Sequence, residues 1–405
     1  MDGAARHPVR PRHCQGMTQH SESPRQPSTT AQVTLRGPAE LVDSLPYLLG
    51  YHPDDSVVLV GLHGPSGRFG GRLRVGIPAA EGEWPELAEQ LADCLRGSGV
   101  PRGDRPDAAL VFLCRDPADG ESGRAVMERL RPLAQRLRTA CGALDMPVYE
   151  ALCVSGGRYW SYCCPDTRCC PAEGTPLGVP GTSAIAAAAA YAGLRVEGTL
   201  KEMTARLAPL GPPAAGPQER ALDIAGAALV PRMLGEADRE TVRAETLALT
   251  GRLLDRYRNA PAAGRNASAA GADARDDRLL THEEAATVIL GLQDRVTRDW
   301  AAEWMEGEDA APALRLWRAL ARRCVGAYAE HAAAPLTLAG WVAWSGGDEP
   351  GARVALGRAL ELDPEYVFAR LLHGACNSGL DPEPLRQCLR RQRAARGLGA
   401  AVVQG

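Results

Sequence analysis

The residue pattern predicts an α/β domain, a mixed sheet with covering helices, followed by an all-α region. Three observations predict it. Continuous apolar runs, Ser56 to Leu62 and Ala108 to Cys114, are typical of strands buried on both faces. Amphipathic stretches at 85–95 and 124–141 alternate with those runs, the order expected when helices cover a sheet. Beyond Thr182 the strand signal disappears, and apolar residues recur at helical spacing through most of what remains of the 405-residue chain.

Residues 1–31 hold Arg6, Arg10, Arg12 and Arg25 among Pro, Ser and His with no hydrophobic period, which predicts a disordered arm. The α/β domain is expected over 32–180. Pro38 opens a helix carrying Leu41, Val42, Leu45, Leu48 and Leu49; Gly50 ends it, and Pro46 is expected to kink or restart it. Asp54-Asp55 turns the chain into the first buried strand, and a Gly/Pro/Ser loop from His63 to Gly71 leads to a second strand at 73–77. Later, strands at 148–155 and 158–163 are separated only by Gly156-Gly157, the two-residue hairpin signal. That register places Ser155 opposite Arg158, Cys153 opposite Trp160 and Ala151 opposite Tyr162.

The helical half is expected as a region at 181–258, a flexible linker at 259–278 that lacks large apolar residues, a second helical region at 279–396 and a tail at 397–405. Thr199 with Glu202, and Thr281 with Glu284, form capping boxes that start two of its helices. Leu338 to Trp344, Gly346-Gly347-Asp348, Ala352, Leu356 and Ala359 to Pro364 resemble a tetratricopeptide (TPR) unit, with small residues where two antiparallel helices approach. This TPR-like element points to a protein partner held by the C-terminal helices.

A net charge of −3 argues against general binding to nucleic acid or to anionic membranes, which requires a clustered positive field. The longest apolar run, Ala184 to Leu194, is too short to span a bilayer. The twelve cysteines are scattered and no secretory hydrophobic region precedes them, so reduced thiols and a cytoplasmic location are expected. There is no phosphate-binding G-x-x-x-x-G-K-[ST], no G-x-S-x-G elbow and no H-E-x-x-H, and no catalytic residue is assigned.

Candidate chemistry gathers at 150–177. Cys164 and Cys169 have the C-x4-C spacing of zinc knuckles, and Cys170 offers a third thiolate; a fourth ligand would come from Cys153, Cys114, Cys94, His52 or His63. Adjacent cysteines rarely ligate one ion and cysteine is often buried as a small hydrophobe, so packing is the preferred role. No cofactor is predicted, zinc being the metal the pattern admits. Arg158, Tyr159, Trp160 and Tyr162 are candidates for an aromatic and cationic binding face, but packing of the sheet on its helices, with Arg158 capping the hairpin, is the preferred reading because strands are aromatic-rich anyway. His52, Asp54 and Asp55 are the remaining binding candidates. They sit at a strand's entrance, whereas the ligand crevice of an open α/β sheet lies at the carboxyl ends, so turn and capping roles are the simpler reading.

The run Arg158-Tyr159-Trp160-Ser161-Tyr162, with Cys164, Cys169-Cys170-Pro171 and Glu173 to Leu177, resembles the signature of the actinobacterial domain of unknown function 4192 family. Leu45 to Ser56 and Pro335-Leu336 through Trp344 agree with it. The resemblance implies a cytoplasmic actinobacterial protein and brings no activity, substrate or catalytic residue. The expected function is a cytoplasmic interaction or regulatory scaffold protein whose helices offer a groove to a protein partner. The alternative is an enzyme or zinc-dependent binding protein working from the cysteine turn and the adjacent hairpin.

Overall fold

The computed structural model describes residues 18–20, 34–35, 37–97, 105–179, 181–194, 196, 198–261 and 268–403, with the backbone alone at 18–20 and 397–403. The chain divides into two compact units: Met1–Ser44 with Asp54–Ala188, and Leu45–Pro53 with Ala189–Gly405.

The first unit is built on a mixed sheet. Its strands are β1 (Thr18–His20), β2 (Ser56–His63), β3 (Arg68–Gly76), β4 (Ala108–Cys114), β5 (Val148–Ser155), β6 (Arg158–Ser161) and β7 (Thr175–Pro176), in the order β1-β3-β2-β4-β5-β6-β7. Only β4 and β5 run parallel; the other neighbours are antiparallel. A parallel pair needs a crossover, and helix α3 (Gly123–Ala143) supplies it. With α2 (Trp84–Arg96), α3 covers one face, packing Leu87, Leu91, Leu130, Leu133 and Leu137 against Val57, Leu59, Val111, Leu113, Ala151 and Cys153. The alternate residues Val58, Val60, Leu110, Phe112 and Leu152 are buried as well, so the central strands are apolar on both sides.

Several expectations are corrected. The arm at 1–31 lies outside the described residues except for Thr18–His20, which pairs with Arg72–Arg74 as an edge strand. β3 starts at Arg68, not beyond Gly71, because Gly70 lets the strand pass the His63 ring: a Cβ at Gly70 would lie 2.2 Å from two of the ring atoms. Helix α1 (Pro38–Leu49) continues through Pro46 and does not restart there.

The second unit is helical: α4 (Ala184–Tyr191) straddles its boundary, and α5 (Leu200–Ala205), α6 (Ala215–Leu234), α7 (Glu236–Asn259), α8 (Ala269–Asp277), α9 (His282–Gly291), α10 (Arg295–Ala301), α11 (Ala310–Arg322), α12 (Ala333–Ser345), α13 (Glu349–Leu362), α14 (Val367–Asn377) and α15 (Glu383–Val403) follow. Both expected capping boxes are present, at Thr199/Glu202 and Thr281/Glu284. One continuous apolar cluster runs from Leu207 to Leu389, with Trp317 and Trp341 fully buried. Between α12 and α13 the backbones approach closely at Gly340, where a Cβ would lie 2.6 Å from Leu356 Cγ.

The linker expected at 259–278 is overturned from Ser268 onward. Ser268 caps α8, whose Asp273 and Asp276 are buried and paired to arginines, so the polarity that read as solvent exposure belongs to an internal ion-pair face. The helical half is accordingly one unit, not two. Residues 262–267 of that stretch lie outside the described ones. The expected tail continues α15 to Val403. Among the described residues, no helix is long and apolar enough to cross a membrane.

Candidate functional site

The hairpin forms with the expected register: Ser155 opposite Arg158, Cys153 opposite Trp160, and Tyr162 donating its backbone N–H to the Ala151 carbonyl at 2.8 Å. Gly156 and Gly157 both hold positive φ, 55° and 71°, which a two-residue turn between right-twisted strands requires.

Of the two roles weighed for these residues, the contacts are those of packing, since Trp160 and Tyr162 turn inward and Arg158 serves the adjoining turn. Trp160 is 6% exposed, its indole N–H donating to the Ala172 carbonyl at 3.1 Å. Gly174, with φ +79°, presses against that ring; a Cβ there would lie 2.4 Å from it. The Tyr162 hydroxyl donates to the Met127 carbonyl at 2.8 Å, and burial pushes its pKa up. Arg158 donates to the Gly174 and Glu173 carbonyls at 2.8 and 3.3 Å, tying the 172–174 turn to β6. Tyr159 lies on the opposite side of the strand, partly buried, opposite Val154 and Thr175.

His52, Asp54 and Asp55 are engaged in backbone or turn contacts. His52 belongs to the helical unit, where its backbone pairs with Gly198 and Leu200 at 2.8 and 2.9 Å. Asp55 adopts φ 41°, its carbonyl accepts from Ile77 N and its carboxylate accepts from Arg115 Nε at 2.8 Å. The Asp54 carbonyl accepts from the Ser56 hydroxyl.

Beyond β6 the chain makes the cysteine turn. Ser161 Oγ accepts from the backbone N–H of Cys163 and Cys164 and donates to Glu150, while the Asp166 carbonyl accepts from Cys169 and Cys170 N–H. Arg168 clamps the Asp166 carboxylate at 2.9 Å. This winding brings the three thiols of Cys164, Cys169 and Cys170 within 4.8 Å of one another. Among the described residues no fourth His, Cys or carboxylate joins them. Cys114 and Cys153 are buried elsewhere in the sheet, where burial raises their thiol pKa, that of Cys153 to about 12.

Two thiolates on one tetrahedral zinc, each about 2.3 Å from the ion, sit about 3.8 Å apart. Cys169 and Cys170 match this at 3.7 Å, whereas Cys164 and Cys169 are only 2.9 Å apart, closer than two thiolates on one ion. The hydrogen bond from Cys169 holds the Cys164 thiol below its usual pKa and pushes Cys169 up; desolvation pushes Cys170 up to about 12. The residues fit a three-thiolate site only in part: the donors suit zinc, Cys164 and Cys169 would have to separate, and a fourth donor is needed.

A second feature, on the helical unit, was expected as a groove but not assigned to residues. Helices α10, α14 and α15 enclose an apolar groove of about 500 Å³ floored by Phe368, Leu385 and Leu389, beside the outward-facing Val367 and Leu371. Arg298 stacks over Tyr366 and Phe368, 5.3 and 5.1 Å from their ring centres, and pairs with Asp299 at 2.8 Å. The signal lay in the doublets Val367-Phe368 and Leu371-Leu372, which give α14 two apolar faces, one of them unneeded for the core. The arginines of α15 are in part occupied internally: Arg386 by Glu306 at 2.7 Å, Arg393 by Asp309 at 3.4 Å, and Arg390 and Arg396 by Glu383 and Glu303.

No curated protein and no solved structure matches the chain. A family model described as a domain of unknown function, DUF4192, matches residues 38–383, spanning both units. The hairpin, the cysteine turn and the paired helices α12 and α13 therefore all fall within one matched region, and the chain belongs to the DUF4192 family.

Proposed function

We propose that this chain is a cytoplasmic interaction or regulatory protein whose C-terminal helices, including the TPR-like pair α12 and α13, receive a protein partner. The observation that carries the reading is the groove beside α14. Val367 and Leu371, 64% and 67% exposed, stand one turn apart over a floor of Phe368, Leu385 and Leu389, within a rim of charges that includes Arg295, Asp363 and Glu365. An amphipathic helix lays its apolar face into a groove of this kind through anchors one turn apart. Covering two aliphatic side chains contributes roughly 1.5–3 kcal/mol each, enough for a regulated and reversible contact.

The test is a double charge substitution, Val367→Asp with Leu371→Asp. Both residues are exposed, so unfolding is expected to move by no more than about 0.5 kcal/mol for each. A partner retained by the unsubstituted chain is expected to be lost from the variant. An unchanged set of retained partners would defeat the reading.

The thiol trio supports a second reading, a zinc-dependent binding role at the cysteine turn. Its test is elemental: zinc at one ion per chain, lost on Cys164→Ser with Cys169→Ser, would favour it, and a metal-free chain after purification in zinc would remove it.

A further inference from the structure

The face between α8 and α11 has a charge imbalance. Asp273, Asp276 and Asp277 line one side of α8, and Arg315, Arg318 and Arg322 recur on one face of α11. Arg315 takes Asp276 at 2.6 Å and Arg322 takes Asp277 at 2.8 Å. Asp273 is diverted to Arg206 at the end of α5, which grips it through two bonds of 3.0 Å. Four arginines therefore meet three aspartates, and Arg318 is left over. Among the described residues its guanidinium makes no hydrogen bond and no ion pair.

Arg318 lines a cavity of about 620 Å³ between α5, α8, α11 and α13, a size typical of small-molecule sites. Arg206, Asp348, Asp273 and Arg322 are the charged groups around it, and burial pulls its pKa down to about 10, so it stays cationic at neutral pH. The other carboxylates of the wall are in use. Glu202 accepts from Thr199 N and Asp348 from Gly351 N, each at 2.8 Å, and helix N-termini partly neutralise such caps. Met203, Leu207, Ala339, Val354 and Ala355 supply the apolar part of the wall.

We propose that this cavity binds a small carboxylate, its anionic head on the unpaired fork of Arg318 and its apolar body on Met203, Leu207 and Val354. One free guanidinium matches one negative charge. A phosphate dianion would face Glu202, Asp273, Asp277 and Asp348 with a single unpaired cation, so the monoanion is the better match. The cavity shares no residue with the groove beside α14, and the proposal does not rest on the partner reading.

The experiment is calorimetric titration of the full chain with hexanoate, benzoate and hydrocinnamate, each against its primary amide, with inorganic phosphate and acetyl-trileucine alongside. At least one carboxylate is expected to bind saturably while its amide does not. Arg318→Gln is expected to weaken it by about ten- to a hundredfold, the worth of a charge-assisted hydrogen bond. The unliganded variant is expected to melt no lower than the unsubstituted chain, since an unpaired charge has been removed from a partly buried site. Should that variant fail to fold, Arg318→Lys, which loses the fork but keeps the charge, is expected to weaken binding about tenfold. No carboxylate binding at millimolar concentration, equal binding of the amide, binding undiminished in the variant, or preference for phosphate or the tripeptide would each overturn the proposal.

Discussion

Around β4 and α3 the sheet unit buries Val111, Leu113, Leu130 and Leu133 and the thiols of Cys141 and Cys153, an almost wholly apolar interface. Around α8 and α11 the helical unit buries guanidinium against carboxylate. The difference teaches where recognition is to be sought. A covered apolar sheet leaves little unsatisfied chemistry, and the hairpin's conspicuous residues are used up in holding it together. A charged interior is satisfied only when its charges are paired, and Arg318 is not paired among the described residues.

The comparison can be broken by substitution, and the largest effect is expected in the sheet. Trp160→Ala removes a ring that Gly174 and α3 enclose and should cost about 3–5 kcal/mol. Amide exchange would report it as lost protection in β5, β6 and α3 while α8 and α11 keep theirs; unchanged protection in β6 would contradict the packing role. Arg322→Ala is the matching cut in the helical unit, about 3 kcal/mol or more, because it strands Asp277 and the Asp273 and Arg206 carbonyls that Arg322 now serves. Here protection should fall in α8 and α11 and persist in the sheet.

A smaller effect follows from pH. His373, almost wholly buried on α14 beside Asn377 and Arg353, has its pKa lowered from 6.5 to about 4 by burial and then by Arg353. Folded chains hold it neutral while unfolded chains take up the proton near pH 6.5. Stability from this group is therefore complete above that value, declines as pH falls, and is lost by about pH 4. The change amounts to at most about 3 kcal/mol. Chemical unfolding at stepped pH should show this slope and His373→Gln should flatten it; an unaltered slope would rule the histidine out. Smallest of all, Cys169→Ser at an exposed thiol should move unfolding by no more than about 0.5 kcal/mol. A larger loss, seen only in zinc-containing buffer, would point to metal.

Much of the sheet was legible in the residues because its signals are local. Gly156-Gly157 fixes the hairpin register, and continuous apolar runs mark β2 and β4 as central. What stayed hidden depends on pairs far apart in the chain. Nothing near Asp273 reveals that Arg206, 67 residues earlier, will claim it, so α8 read as a polar linker. Packing of Trp160 is the preferred reading of the residues, but its partners Gly174 and α3 are not ones that composition places over the ring. The three thiols were named from spacing, but their crowding comes from the Asp166 and Ser161 hydrogen bonds. In the groove, a helical period does not say which of the two apolar faces of α14 is covered, so it does not single out Val367 and Leu371.

The central claim is that recognition belongs to the helical unit and not to the hairpin. Its most direct test places a photo-activatable cross-linker at Leu371 in one chain and at Tyr149, an equally exposed site on β5, in another, and compares the products formed in cells. A discrete partner joined through Leu371 and absent at Tyr149 is the predicted result. Cross-linking to one partner through Tyr149, with none through Leu371, would contradict it.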